Sequence, residues 1–335
     1  MWGLIGHEGV VAFLEQSLAQ GRLAHSYLLS GPQGVGKGTL ALALAQRLNC
    51  VGSLPPCQEC PQCRRIAAGL HTDVAVIELR EQERELGIQR IREIQHTLSL
   101  KPFEGRYRVA LIRDAERMSH EAANALLKTL EEPPAEVVLL LTTTEEEQVL
   151  PTIRSRCQRL SLFSVRWAAL TNALQEHHGV VGEEAERLAA YAQGCPGRAL
   201  AALEHPEVLS VRAQHFSRLK AILEGDVDLR LAEAARLTAQ FSGQREAALE
   251  SARQWQEWWR DLLLVKSGCQ EGLVNIQERP DYLRYSLGIG LGDIRSALAS
   301  LRGALKQLEQ NANPRLVLDV LVLRLPRPSS TDTRS

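Results

Sequence analysis

The sequence predicts an α/β domain built on a parallel sheet, followed by a largely helical second half. Three observations carry this. Short apolar runs alternate with amphipathic stretches as far as Phe163, a glycine-rich loop follows the first apolar run, and strand signals nearly stop after Phe163. Tyr27 to Ser30 is the first strand, and an Ala- and Leu-rich helix follows from about Thr39 to Leu48. Val74 to Leu79 reads as a second strand, and Ile88, Ile91, Ile94 and Leu98 repeat at helical spacing. Arg108 to Ile112 is a third strand. Ser119 suits the N-cap of a helix closed by Pro133 and Pro134. Val137 to Leu141 is a fully apolar fourth strand, and Gln158 to Phe163 reads as a fifth. Strands apolar on both faces and separated by helices belong to a covered parallel sheet.

Beyond Phe163, Trp167 to about Leu203 reads as a set of short helices. His205 to Leu325 is helical almost throughout, with breaks at Gly225, Pro280 and Leu287 to Gly292. The boundaries fall near 163 and 206, giving a sheet domain over 1–163, a small helical segment over 164–205 and a helical domain over 206–325. Residues 326–335 have the composition of a disordered tail. A chain of 335 residues is long enough for two or three domains.

Lys and Arg number 39 against 40 Asp and Glu, so the molecule lacks the basic excess of a stand-alone nucleic-acid binder. The N-terminus has no basic segment leading into an apolar run, and no apolar stretch approaches the ~18 residues of a membrane span. The expected compartment is the cytoplasm, with no membrane partner.

Gly31-Pro-Gln-Gly34-Val-Gly36-Lys37-Gly38-Thr39 fits G-x-x-x-x-G-K between a strand and a helix. Glycines let backbone N–H groups turn inward around phosphates, while Lys37 and the helix N-terminus add positive charge. The alternative is a glycine-rich turn with a solvated lysine. The usual Ser or Thr after the lysine, whose hydroxyl helps hold Mg²⁺, is replaced by Gly38. Thr39 could be a metal ligand, a nucleotide contact or only a helix residue.

Cys50, Cys57, Cys60 and Cys63 give C-x6-C-x2-C-x2-C, with Pro55, Pro56 and Pro61 stiffening the loop. Two C-x2-C steps can wrap thiolates around one ion, and a four-sulfur shell leaves no open position, so structural zinc is expected. An iron–sulfur cluster is the competing occupant. Of the other cysteines, Cys157, Cys195 and Cys269, at least the last two read as packing residues. Trp255 and Trp259 share a helix face beside Trp258 and read as core or subunit packing rather than base stacking.

The order of these motifs, together with Asn124-Ala-Leu-Leu-Lys-Thr-Leu-Glu-Glu-Pro-Pro134, Ser155-Arg156-Cys157 and Asn311-Ala-Asn-Pro-Arg-Leu-Val-Leu-Asp319, resembles the clamp-loader branch of the AAA+ ATPases over roughly residues 1 to 325. The resemblance implies a P-loop AAA+ domain with an inserted four-cysteine module at 50–63, a helical lid and an all-α collar that assembles into a hetero-oligomer. Motor subunits of that family end the third strand in Asp-Glu, whereas this chain has Arg113 and Asp114, and Asp114-Ala-Glu-Arg-Met118 resembles the delta-prime kind of subunit. A cation in the metal ligand's place repels Mg²⁺ and pairs instead with phosphate or an acid. ATP binding is thus open while ATP hydrolysis by this chain is not expected. The resemblance further implies that Arg156 acts as an arginine finger in trans, that Thr143 matches a γ-phosphate-sensing residue, and that Arg198 matches a lid arginine that contacts bound nucleotide. A bland reading makes Arg156 a surface ion-pair partner, and Thr143 and Arg198 packing relics. The implied partners are gamma/tau and delta subunits, the sliding clamp and primer-template DNA. The rivals are an ATP-hydrolysing motor subunit and, more remotely, a nucleotide kinase suggested by Gly-Lys-Gly-Thr.

Overall fold

A computed structural model of the protein describes residues 2–80, 83, 85–269 and 272–328. Most of the expected tail, 329–335, lies outside the described residues. The chain divides into two units, Met1–His178 with Gly194–Arg198, and Gly179–Gln193 with the residues from Ala199 onward.

In the first unit the order is α1 (Glu8–Ala19), β1 (Ser26–Ser30), α2 (Lys37–Asn49), α3 (Pro61–Ala67), β2 (Val74–Ile77), α4 (Ile88–Leu98), β3 (Arg108–Ile112), α5 (His120–Glu131), β4 (Val137–Thr143), α6 (Pro151–Arg154), β5 (Gln158–Ser161) and α7 (Trp167–His178). The five strands form one parallel sheet in the order β2-β3-β4-β1-β5. Every residue of β1, β3 and β4 is buried, which explains their unbroken apolar character: both faces are covered. β5 buries only Leu160 of its four residues, as an edge strand does. The arrangement is that of an α/β P-loop AAA+ domain followed by a helical part.

The expected elements appear with small shifts at their ends. β3 has the expected bounds. α2 starts at Lys37 rather than Thr39, because Gly36 adopts a left-handed conformation (φ 112°) that delivers the chain directly into the helix. Ser119 Oγ accepts from Ala122 N at 3.2 Å, as expected of an N-cap. The face of α5 made by Ala122, Ala123, Leu126, Thr129 and Leu130 is buried. Ile91, Ile94 and Leu98 of α4 belong to the same core. Three helices are additions to the expected set: α1, the short α3 among the cysteines, and the single turn of α6.

The second unit contains α8 (Glu183–Ala192), most of α9 (Pro196–Glu204), α10 (Glu207–Glu224), α11 (Val227–Gly243), α12 (Arg245–Lys266), α13 (Arg279–Gly288), α14 (Leu291–Glu309) and α15 (Pro314–Arg324). Pro280 stands in the first turn of α13, where a missing N–H is harmless, and the break precedes it. Trp255, Trp258 and Trp259 are buried in this unit's core, with Trp258 5.2 Å from Tyr282 and 5.4 Å from Tyr285 between ring centres. The side chain of Arg230 caps the last helix by donating to Val322 O at 3.0 Å and Leu325 O at 2.6 Å. No helix of the described residues is long and apolar enough to cross a membrane.

Candidate functional site

The strand order places β4 between β1 and β3, so three carboxyl ends converge: the glycine-rich loop after β1, Thr143 at the end of β4, and Arg113 just beyond β3. This is where an open α/β sheet offers a crevice for ligands. The loop is tightly held. Gly31 N donates to Thr143 O at 3.2 Å, and a Cβ on Gly31 would lie 2.3 Å from Leu162 O, so only glycine fits. A Cβ on Gly34 would lie 2.9 Å from Arg198 Cγ, and Gly197 N donates to Gly34 O at 2.8 Å. The segment Gly194-Cys-Pro-Gly-Arg198 therefore packs directly on the loop.

Lys37 is buried and donates to the loop's own carbonyls, Gly31 O at 2.5 Å and Pro32 O at 2.9 Å. Burial pulls its ammonium pKa down, and the carboxylates of Glu116 and Asp114 oppose that shift. Thr39 is exposed on the first turn of α2. Thr143 is fully buried, and its Oγ1 accepts from Glu145 N at 3.1 Å.

Arg113 comes closest to Gly38: a Cβ on that glycine would lie 3.8 Å from Arg113 Nη2 and 4.0 Å from Nε. On its other side Arg113 Nη1 pairs with Glu78 Oε2 at 2.8 Å. The two departures from the usual phosphate-loop pattern are thus neighbours in space. The structure joins Gly31, Gly34, Gly36, Lys37, Gly38, Thr143 and Arg198 at one place.

Sequence reasoning missed three contributors. His7 Nε2 lies 2.9 Å from Val35 O, fastening the segment before α1 to the loop. Glu116 Oε1 accepts from Thr144 N at 2.9 Å and Thr144 Oγ1 at 2.6 Å, with burial raising its carboxyl pKa and the Thr144 donors prevailing to lower it. Glu78 holds Arg113. Glu116 lies within the Asp114–Met118 segment, His7 and Glu78 lie in no motif, and each of the three acts through a partner distant in sequence.

Arg156 lies at the opposite end of β1. Its backbone O accepts from Ser26 Oγ at 2.8 Å, and its exposed guanidinium pairs with Glu131 Oε1 at 2.6 Å and donates to Thr152 O at 3.1 Å. His25, on the same approach to β1, bonds Leu130 O at 3.1 Å beside Glu131.

The four cysteines form a separate cluster, with all four Sγ atoms within 4.8 Å of one another. Cys50 follows α2, and Cys60 caps α3, whose first turn carries Cys63, with its carbonyl accepting from the Gln46 side chain. Backbone N–H groups of Gly52, Cys60 and Cys63 point at the sulfurs of Cys50, Cys57 and Cys60 at 3.3, 3.3 and 3.5 Å. Burial opposes ionisation of Cys60, but the N–H groups of Cys63 and Val51 prevail and hold its thiol at about 6. A Cβ on Gly52 would lie 2.9 Å from Cys57 Sγ. This donor set can hold one tetrahedral metal ion.

A family model described as DNA polymerase III, delta subunit, matches residues 6–166. The DNA polymerase III subunit gamma/tau of Mycobacterium tuberculosis is 31% identical over 99% of this chain and 62% of its own length. The tau subunit of DNA polymerase III from Escherichia coli K12 is 32% identical over 83% of this chain and 44% of its own length. The chain spans about three-fifths or less of these curated relatives. Among solved structures, a DNA polymerase III gamma subunit-related protein of Thermotoga maritima aligns with a TM-score of 0.53 at 21% identity, covering 94% of this chain and 97% of that one. That likeness speaks for the fold.

Proposed function

Because the chain belongs to the clamp-loader family of AAA+ proteins, we propose that it is a delta-prime-type support subunit, one that does not hydrolyse ATP itself but supplies Arg156 to a neighbouring subunit's ATP site. The observation that carries this is Arg113. In P-loop ATPases Mg²⁺ is held by the Ser or Thr after the loop lysine and by an acid at the end of a neighbouring strand. Here those two positions are Gly38 and Arg113, in contact distance of each other. Among the described residues, the carboxylates of Asp114 and Glu116 act on Lys37. With Arg113 between Gly38 and Glu78, a metal-assisted transfer has lost two of its parts together.

Arg156 suits the complementary role. It is exposed, permanently charged and held by another side chain, Glu131, that a phosphate could displace. In this reading the lid comprises 164–205 and the collar 206–325. The partners are gamma/tau and delta subunits, the sliding clamp and primer-template DNA, all in the cytoplasm. The cysteine cluster holds zinc as a structural staple.

A second reading, an ATP-hydrolysing gamma/tau-type motor, is favoured by the names of the curated relatives, at 31–36% identity. ATP turnover separates the two. The isolated chain is expected to be inactive, and Arg156→Ala is expected to cut turnover of the reconstituted loader, with clamp and primed DNA, by at least about tenfold. Turnover by the isolated chain, with no effect of Arg156→Ala in the complex, would support the motor instead.

A further inference from the structure

From the arrangement of Arg113 we infer that the phosphate loop binds the polyphosphate of a nucleotide without a divalent cation, the guanidinium standing in for the metal. This goes beyond the reading of Arg156 and rests only on the loop being a phosphate site.

The geometry of one side chain carries the inference. A guanidinium has an edge made by Nε–H and the Nη2–H beside it, and two parallel donors along that edge match two oxygens of a phosphate. In Arg113 those two nitrogens lie nearly equidistant from the Cβ position of Gly38, at 3.8 and 4.0 Å, so the edge faces the first turn of α2. The far side is the one that Glu78 occupies, through Nη1. Arg113 Nε is buried and has no hydrogen-bond partner among the described residues. Leaving a buried donor without an acceptor is unfavourable, so such an atom points to a missing acceptor.

The surroundings fit an anion. The glycine cradle leaves no room for side chains at Gly31 or Gly34, and Lys37 supplies a second positive charge within the loop. Arg113 and Lys37 together offset the charge that Mg²⁺ normally offsets. Two carboxylates face the same place. Glu116 is turned toward Thr144, which holds its Oε1 through two donors, and Asp114 N is tied to Thr142 Oγ1 at 3.3 Å. Were either to recruit a metal, binding would depend on that metal, which the experiment reads directly.

The experiment is equilibrium binding of ADP and of ATP to the purified full chain, in EDTA and again in millimolar Mg²⁺. The dissociation constant in the two buffers is expected to agree within about threefold. Arg113→Ala is expected to weaken binding in EDTA at least about tenfold. Arg113→Lys, which keeps the charge and can still pair with Glu78 but offers no fork, is expected to weaken it several-fold, with the melting temperature of the nucleotide-free chain unchanged. Arg113→Asp combined with Gly38→Thr restores the usual metal ligands and is expected to make binding depend on Mg²⁺. Binding by the natural chain only in Mg²⁺, no binding in either buffer, or equal affinity of Arg113→Ala and the natural chain each overturns the inference. None of these readouts involves Arg156, so this inference and the trans role stand or fall separately.

Discussion

Asp73 is a buried carboxylate that organises the turn into β3. Its oxygens accept from Phe103 N at 2.8 Å, Glu104 N at 2.8 Å and Gly105 N at 2.7 Å, with Arg108 Nη2 at 3.5 Å. Burial raises its pKa, but the three N–H donors and Arg108 prevail and hold it below the ordinary carboxylate value. A lowered folded-state pKa means stability that is present above the ordinary value and lost as pH falls through the folded one. Asp73→Asn is expected to cost about 2–4 kcal/mol at pH 7, since it leaves buried donors facing an amide. Melting curves from pH 7 downward check this: the gap between the two proteins should persist to about pH 4 and close only in stronger acid. A gap that does not vary with pH would assign the loss to packing. Arg113 and Glu78 illustrate the same scale. The sequence made the absence of a metal-binding acid legible, but not the partner of the residue that replaced it, because Glu78 directly follows β2 and is brought to Arg113 by the pairing of β2 with β3.

At the scale of elements, the cysteine loop joins α2 to α3. Its spacing announces a metal site, and the structure brings the four sulfurs together. It does not announce α3, because a seven-residue helix opened by Pro61 is too short to show a period. α1 escapes sequence reading for another reason: only Leu14 of its twelve residues is buried, so its apolar stripe is faint. The central strands are legible because burial on both faces leaves unbroken apolar runs, whereas β5, an edge strand with three exposed residues, stops at Ser161, short of the expected Phe163. The expected outcome of elemental analysis is one zinc per chain, with most of it lost in Cys60→Ser. Iron with labile sulfide in the purified chain would identify the competing cluster. Chelation is expected to lower the melting temperature of the first unit on the order of 5 °C.

For the molecule as a whole, the second unit's core is separate from the two clusters of the first unit, so one melting temperature need not describe the chain. The three buried tryptophans of α12 make intrinsic fluorescence chiefly a report on the second unit, while the four-cysteine cluster belongs to the first. Chelation is therefore expected to shift the circular-dichroism transition and leave the main fluorescence transition within about 1 °C. Equal shifts in both signals would show the two units unfolding as one. Strand signals stop at Phe163 in the sequence, whereas the first unit runs on through α7 to His178 and also takes in Gly194–Arg198. That Gly194–Arg198 returns to the phosphate loop is legible only through the family resemblance, which makes Arg198 a nucleotide-contacting lid arginine, since nothing local in the segment encodes its distant partner.

β1 is a ruler. One end fastens the backbone of Arg156 through Ser26, and the other opens into the phosphate loop that begins at Gly31. Its five residues are buried and bonded to a strand on either side, so the strand can neither stretch nor buckle. At about 3.3 Å per residue, the two ends stand roughly 15 Å apart. Whatever each end grips, the spacing between them is cut to a fixed length by a single strand.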